Sequence, residues 1–114
     1  MTFVADDHPD ARAEYLGAVA YYDRLRAGLG DQLIDRLEEA IEDILSSPHT
    51  WPRMPNWDGE PVLRSHVVKV FRYRVIYYVQ GDQVRIIAYA HTSRMPGYWR
   101  PRVEEAQGEP SPPG

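Results

Sequence analysis

Between Arg72 and His91 the chain interleaves cations with aromatic rings: Arg72, Arg74, Arg85, Tyr89 and His91 stand at alternate positions of two β-prone runs joined by Gly81-Asp82. Guanidinium groups neutralise phosphates and rings offer faces for stacking, so this mixture suits a polyanion. An imidazole in that company has the right chemistry to move a proton near neutral pH. Each residue also has a plainer reading. One face of an antiparallel sheet is often solvated and kept soluble by arginine, and a lone histidine is more often structural than catalytic. An inert solvated face mixes its charges, however, and here only Asp82 and Glu60 lie near in sequence. The group as a whole therefore reads as functional.

The elements that must position these residues follow from periodicity. A two-residue Gly-X turn at Gly81-Asp82 pairs Gln80 with Gln83. That register sets Tyr78 opposite Arg85, Ile76 opposite Ile87, Arg74 opposite Tyr89 and Arg72 opposite His91, all on one side of the sheet. The reverse side carries Tyr73, Val75, Tyr77 and Val79 opposite Ala90, Ala88, Ile86 and Val84, an apolar surface on which helices would pack. Two helices are predicted. The first runs from about Pro9 to Arg26, with Tyr15, Val19 and Tyr22 on one stripe flanked by Leu16, Ala20 and Leu25. The second runs from about Asp31 to Ser46, with Leu33, Leu37, Ala40, Ile41 and Ile44 on its stripe. Gly28-Leu29-Gly30 separates them, and so short a connection predicts an antiparallel helical hairpin.

Prolines and Gly59 make residues 47–61 a loop, in which Trp51 and Trp57 are expected to cover one end of the core. The run from Val62 to Val79 exceeds an ordinary strand and is divided near residues 68–70. Thr2 to Ala5 offers a short edge strand. The fold class is α+β, an N-terminal helical hairpin packed on one face of a small antiparallel β-sheet, with a single domain over residues 1–100. Residues 101–114, rich in Pro and Gly, read as a flexible tail.

Composition bounds the function. A chain of 114 residues supports one small core and excludes multi-domain machinery. Without cysteine there is neither a disulfide framework nor a thiolate metal site, which fits a reducing cytoplasm. The longest apolar runs, Val75 to Val79 and Ile86 to Ala90, are far shorter than the roughly 20 residues of a spanning helix. The first residues lack the pattern of a secretory signal, so export is not expected. The net charge of −4 hides an asymmetry. Residues 1–50 carry four Arg against eleven acids, a balance of −7, while residues 51–102 carry nine cations against three acids, a balance of +6.

Several segments in this order resemble one family. Tyr21-Tyr22, the Gly28-Leu29-Gly30 turn, Phe71-Arg72-Tyr73-Arg74-Val75-Ile76-Tyr77-Tyr78, Gly81-Asp82, His91-Thr92-Ser93-Arg94 and Pro96-Gly97-Tyr98-Trp99-Arg100 together resemble the RelE/ParE superfamily of toxins from bacterial type II toxin-antitoxin modules. The ending is similar to that of ParE-like, plasmid-stabilisation members. The resemblance implies the same small α+β fold and two alternative activities. ParE-like members bind DNA gyrase and trap it on cleaved DNA, which calls for recognition surface and no catalysis. On that branch Arg64, Arg85, Tyr89, Arg94, Tyr98, Trp99 and Arg100 are the candidate target- or nucleic-acid-binding residues, since Trp, Tyr and Arg are common interface anchors. Equally, Tyr98 and Trp99 have the alternative of folding back as a lid on the core.

RelE-like members cleave messenger RNA on the ribosome without a metal or cofactor. On that branch His91 would be the acid or base, Arg72, Arg74 and Arg94 would offset charge on the phosphorane, and Tyr98 would stack on or position a nucleotide. No carboxylate or lysine stands firmly on the same face, and Glu60 and Lys69 are near only in sequence. Either activity implies a cognate antitoxin whose acidic and apolar segment covers the arginine face. The free toxin is then expected to be monomeric and the complex larger. A third reading is an inactive member kept for antitoxin binding alone.

Overall fold

In chain order the protein forms β1 (Val4–Asp7), α1 (Pro9–Leu25), α2 (Leu29–Ser46), β2 (Arg64–Val68), β3 (Tyr73–Gln80), β4 (Gln83–His91) and α3 (Arg100–Gly108), and the computed structural model describes residues 2–108. His8 caps α1 by accepting the Asp10 N–H at Nδ1 (3.0 Å), with Pro9 in the first turn where no amide is needed. Gly28, at φ 88°, reverses the chain into α2, and the Asp23 carboxylate accepts from both Gly28 N–H and Gly30 N–H at 3.1 Å. A Cβ at Gly30 would lie 2.7 Å from the Val19 carbonyl oxygen, so the crossing of the two helices demands glycine there. The expected antiparallel hairpin is present, although Leu16 and Leu25 at the margin of the predicted stripe face solvent.

The sheet has the order β1-β4-β3-β2. β2, β3 and β4 are antiparallel, while β1 adds to the β4 edge in parallel, making the sheet mixed. The helical hairpin packs on one face through Leu33, Leu37, Ile41 and Ile44 against Val75, Tyr77, Val84 and Ile86. Between β2 and β3 the chain turns without glycine: Val70 (φ 78°) and Arg72 (φ 53°) both take left-handed backbone, and Phe71 between them is buried against Tyr22.

The hairpin register holds only for its first half. Gln80 pairs with Gln83, Tyr78 with Arg85 and Tyr77 with Ile86, as the turn requires. A β-bulge then inserts Ile87 as an extra residue, so that Ile76 lies opposite Ala88, Val75 opposite Tyr89, Arg74 opposite Ala90 and Tyr73 opposite His91. The expected pairs Ile76–Ile87, Arg74–Tyr89 and Arg72–His91 do not form. One extra residue exchanges the two faces of the strand beyond it. Tyr89 therefore joins the core under the helices, and Ala88 and Ala90 move to the other face.

That other face is not open. Leu63, Ile76, Tyr78, Ile87 and Ala88 meet Trp99, Val103 and Ala106 in a second core, closed by α3. Residues 100–108 are thus helix rather than tail, while residues 109–114 of the expected tail lie outside the described residues. The loop tryptophans serve both cores. Trp51 stacks on His66 at 3.8 Å under α2, and Trp57 packs against Trp99 at 5.8 Å. Among the described residues, no helix is long and apolar enough to cross a membrane.

Candidate functional site

His91 ends β4 where three surface depressions meet. The first is lined by Tyr22, Arg26, Leu29, Gln32, Val70, Phe71 and Arg72, the second by Glu14, Tyr21, Tyr73, Tyr89 and Arg94, and the third by Arg74, Ala90, Arg94, Met95, Tyr98 and Trp99. The imidazole Nδ1 accepts the Ser93 backbone N–H at 3.0 Å and lies 2.7 Å from its hydroxyl. Neutral His91 consequently carries its proton on Nε2. Its ring meets Tyr73 edge to face at 5.0 Å. The structure thus gathers His91, Arg72, Arg74 and Arg94 at one end of the sheet, but it divides them between the two faces and the turn.

The other candidates are dispersed. Arg85 lies at the far end of the hairpin, with Nε 3.4 Å from the Asp6 carboxylate. Arg64 donates to the Trp51 carbonyl at 2.8 Å and ties the proline-rich loop to β2. Arg74 donates to the Ser65 hydroxyl at 2.9 Å on the α3 side. Tyr89 is buried, its hydroxyl donating to Asp7 and its ring edge-on to Tyr15. Trp99, 4% exposed, is core. Arg100 is exposed and donates to the Asn56 carbonyl at 3.0 Å.

Two residues at this site escaped the sequence reading. Arg26 follows α1 directly and shares the first depression with Arg72; among the described residues no ion pair involves either. Glu14, on α1, accepts from the Tyr98 hydroxyl (2.5 Å), the Arg102 guanidinium (2.7 Å) and the Tyr89 N–H (3.1 Å). An acid on an acidic helix reads as solvated, so nothing in its spacing marked it. Arg26 sat just beyond the last apolar position of its helix.

Charge and burial keep the phenols here protonated. Burial pushes the Tyr98 pKa well up, and the hydrogen bond to Glu14 adds to it. Tyr89 is raised by burial and by the Asp7 carboxylate, and Tyr73 by burial with Tyr22 and Glu14 nearby. For Arg102, burial opposes the charge, but Glu14 offsets it and the net shift is upward. These hydroxyls are donors at neutral pH and poor bases. Among the described residues, no three His, Cys, Asp or Glu side chains stand together as a metal site requires.

Residues 8–96 match the family described as "ParE toxin of type II toxin-antitoxin system, parDE". The chain belongs to the ParE toxin family. No curated protein matches it. The matched span takes in the helical hairpin, the bulged β-hairpin, His91 and Arg94, and stops before Tyr98, Trp99 and α3. As a ParE-family toxin of a type II module, the protein has a cognate antitoxin implied by its membership. The groove between Arg26 and Arg72 has an apolar floor of Leu29 and Phe71, with Val70 exposed at its rim.

Proposed function

We propose that this ParE-family toxin arrests growth by binding DNA gyrase, as a recognition protein rather than an enzyme, within the cytoplasm. The observation that carries this reading is the bulge at Ile87. A nuclease must converge an acid, a base and cations on one phosphate. Here the Tyr89 ring is buried under the helices, Arg72 and Arg74 line different depressions on either side of His91, Arg85 is engaged by Asp6 at the far end, and the nearby phenols hold their protons. Exposed around His91 are Arg72, Arg74, Arg94, Val70 and Met95, a mixture of cations and apolar side chains suited to gripping a macromolecule.

The cognate antitoxin neutralises this surface by laying an acidic, apolar segment into the groove between Arg26 and Arg72. Its carboxylates would meet the two guanidinium groups, and its apolar anchors the floor and the exposed Leu25 and Val70. One observation favours ribosome-dependent RNA cleavage as a second reading: His91 presents a defined tautomer beside Arg72 and Arg94.

Induced expression separates the readings. The gyrase reading expects arrest with DNA-damage signalling, abolished by Arg72→Ala with Arg94→Ala and retained by His91→Ala. Rapid transcript cleavage abolished by His91→Ala would establish the ribonuclease. A folded protein that produces no arrest would leave an inactive antitoxin-binding member.

A further inference from the structure

β1 covers the β4 edge only as far as Ile86, where the His8 N–H donates to the Ile86 carbonyl at 2.8 Å before the chain turns into α1. From Ile87 onward no strand among the described residues lies beside the edge. Two side chains take the strand's place. Arg102 of α3 donates to the Ile87 carbonyl at 3.2 Å, and Glu14 of α1 accepts the Tyr89 N–H at 3.1 Å. The two are bonded to each other at 2.7 Å, so the ion pair closes the edge as a backbone rung would. With side chains only 13% and 15% exposed, neither group is exchanging freely with water.

The same carboxylate reaches the exposed loop after β4. Its second oxygen accepts the Tyr98 hydroxyl at 2.5 Å, and the Tyr98 ring carries the Arg94 guanidinium at 4.0 Å on its way to solvent. Arg102 stands 5.1 Å from the same ring, and Arg94 Nη1 is 3.9 Å from Glu14. Arg94 is thus held by a ring that is held by Glu14.

We infer that Glu14 is the positioning residue of the His91–Tyr98 recognition loop, acting through Tyr98 and the capped edge of the bulge to aim Arg94 at the target. This rests on the recognition reading of Arg94. Without the carboxylate, Arg94 and Arg102 repel, Tyr98 loses its acceptor, and the Tyr89 amide faces an open edge. The two apolar cores do not include Glu14 and persist.

The test uses the full chain, with amide exchange at Tyr89 and stabilisation of gyrase-cleaved DNA as paired readouts. Glu14→Ala is expected to speed Tyr89 exchange by at least about 10-fold, the usual effect of losing a charged hydrogen-bond partner. The toxin concentration needed for half-maximal cleavage should rise about 10-fold, as it should in Arg94→Ala, and the double variant should lose no more than either single one. Glu14→Gln keeps an acceptor for Tyr89 but no charge. It should preserve Tyr89 protection while gyrase inhibition still falls, a split that a purely structural role does not produce. Multiplied losses in the double variant, or a loss in Glu14→Ala no greater than its loss of folded protein, would overturn the inference. If Arg94→Ala inhibits fully, the recognition reading of that loop fails instead. Glu14's hold on the edge is then judged by Tyr89 exchange alone, and unchanged exchange refutes it.

Discussion

Replacing Trp99 by alanine removes the largest side chain closing the second core. Trp99 is 4% exposed and packs among Leu63, Ile76, Tyr78, Ile87 and Val103, with Trp57 on its outer side. Burying an indole withdraws on the order of 200 Å² from water, which at about 25 cal/mol per Å² is about 5 kcal/mol. The extended-chain reference makes that an upper figure, and measured Trp→Ala losses run about 3–5 kcal/mol. We expect about 4 kcal/mol, a large share of the roughly 5–15 kcal/mol that holds a domain together. Urea unfolding followed by circular dichroism measures it directly, with Met95→Ala as the control. Met95 is 77% exposed, and its removal should change stability by less than about 0.5 kcal/mol. A Trp99→Ala loss below about 1 kcal/mol would show that α3 does not close this face, and the second core would have to be abandoned.

Three further outcomes follow from named contacts. Burial raises the Tyr77 phenol to about 12, and the hydroxyl donates to the Pro48 carbonyl at 2.7 Å. The folded state therefore keeps a proton that the unfolded chain releases near pH 10, so stability is full below pH 10 and falls toward pH 12, by up to about 3 kcal/mol. Tyr77→Phe should flatten that fall in alkaline urea titrations, and an unchanged slope would contradict it. Val70→Gly should stabilise by about 1 kcal/mol, because φ 78° strains a β-branched residue whose side chain is already in solvent; a lower melting temperature would count against this turn. Arg85→Ala should leave growth arrest intact and change stability by less than about 1 kcal/mol, since its partner Asp6 is half exposed; loss of arrest in folded protein would return Arg85 to the target surface.

Much of the fold was legible. Helical spacing located α1 and α2, Gly28 and Gly30 their reversal, and Gly81-Asp82 the tight turn with its first four pairs. The break near residues 68–70 was also found, although nothing announced that Val70 and Arg72 would take left-handed backbone. The bulge was not legible, because Ile86-Ile87-Ala88 is an unbroken apolar run that satisfies either parity. A clue to the covered face was nonetheless present. The side taken as open carried Ile76 and Ile87, two residues with no reason to meet water, and Trp99, Val103 and Ala106 lay downstream to cover them. The prolines and glycines from Pro101 onward suggested a tail, yet a proline in the first turn is compatible with the helix that forms. The candidate site was legible as residue types at one end of the hairpin, and illegible as a geometry. Glu14 gained its role only when the bulge exposed the Tyr89 amide, and that is a tertiary event.

Recognition without chemistry at the His91 end of the sheet is the core of the proposed function. Purified toxin mixed in parallel with gyrase on supercoiled DNA and with messenger RNA on ribosomes tests it most directly. The expected result is accumulation of gyrase-cleaved DNA, undiminished by His91→Ala, with the messenger intact. Messenger cut in the wild type and left whole by His91→Ala, with gyrase unaffected, would contradict it.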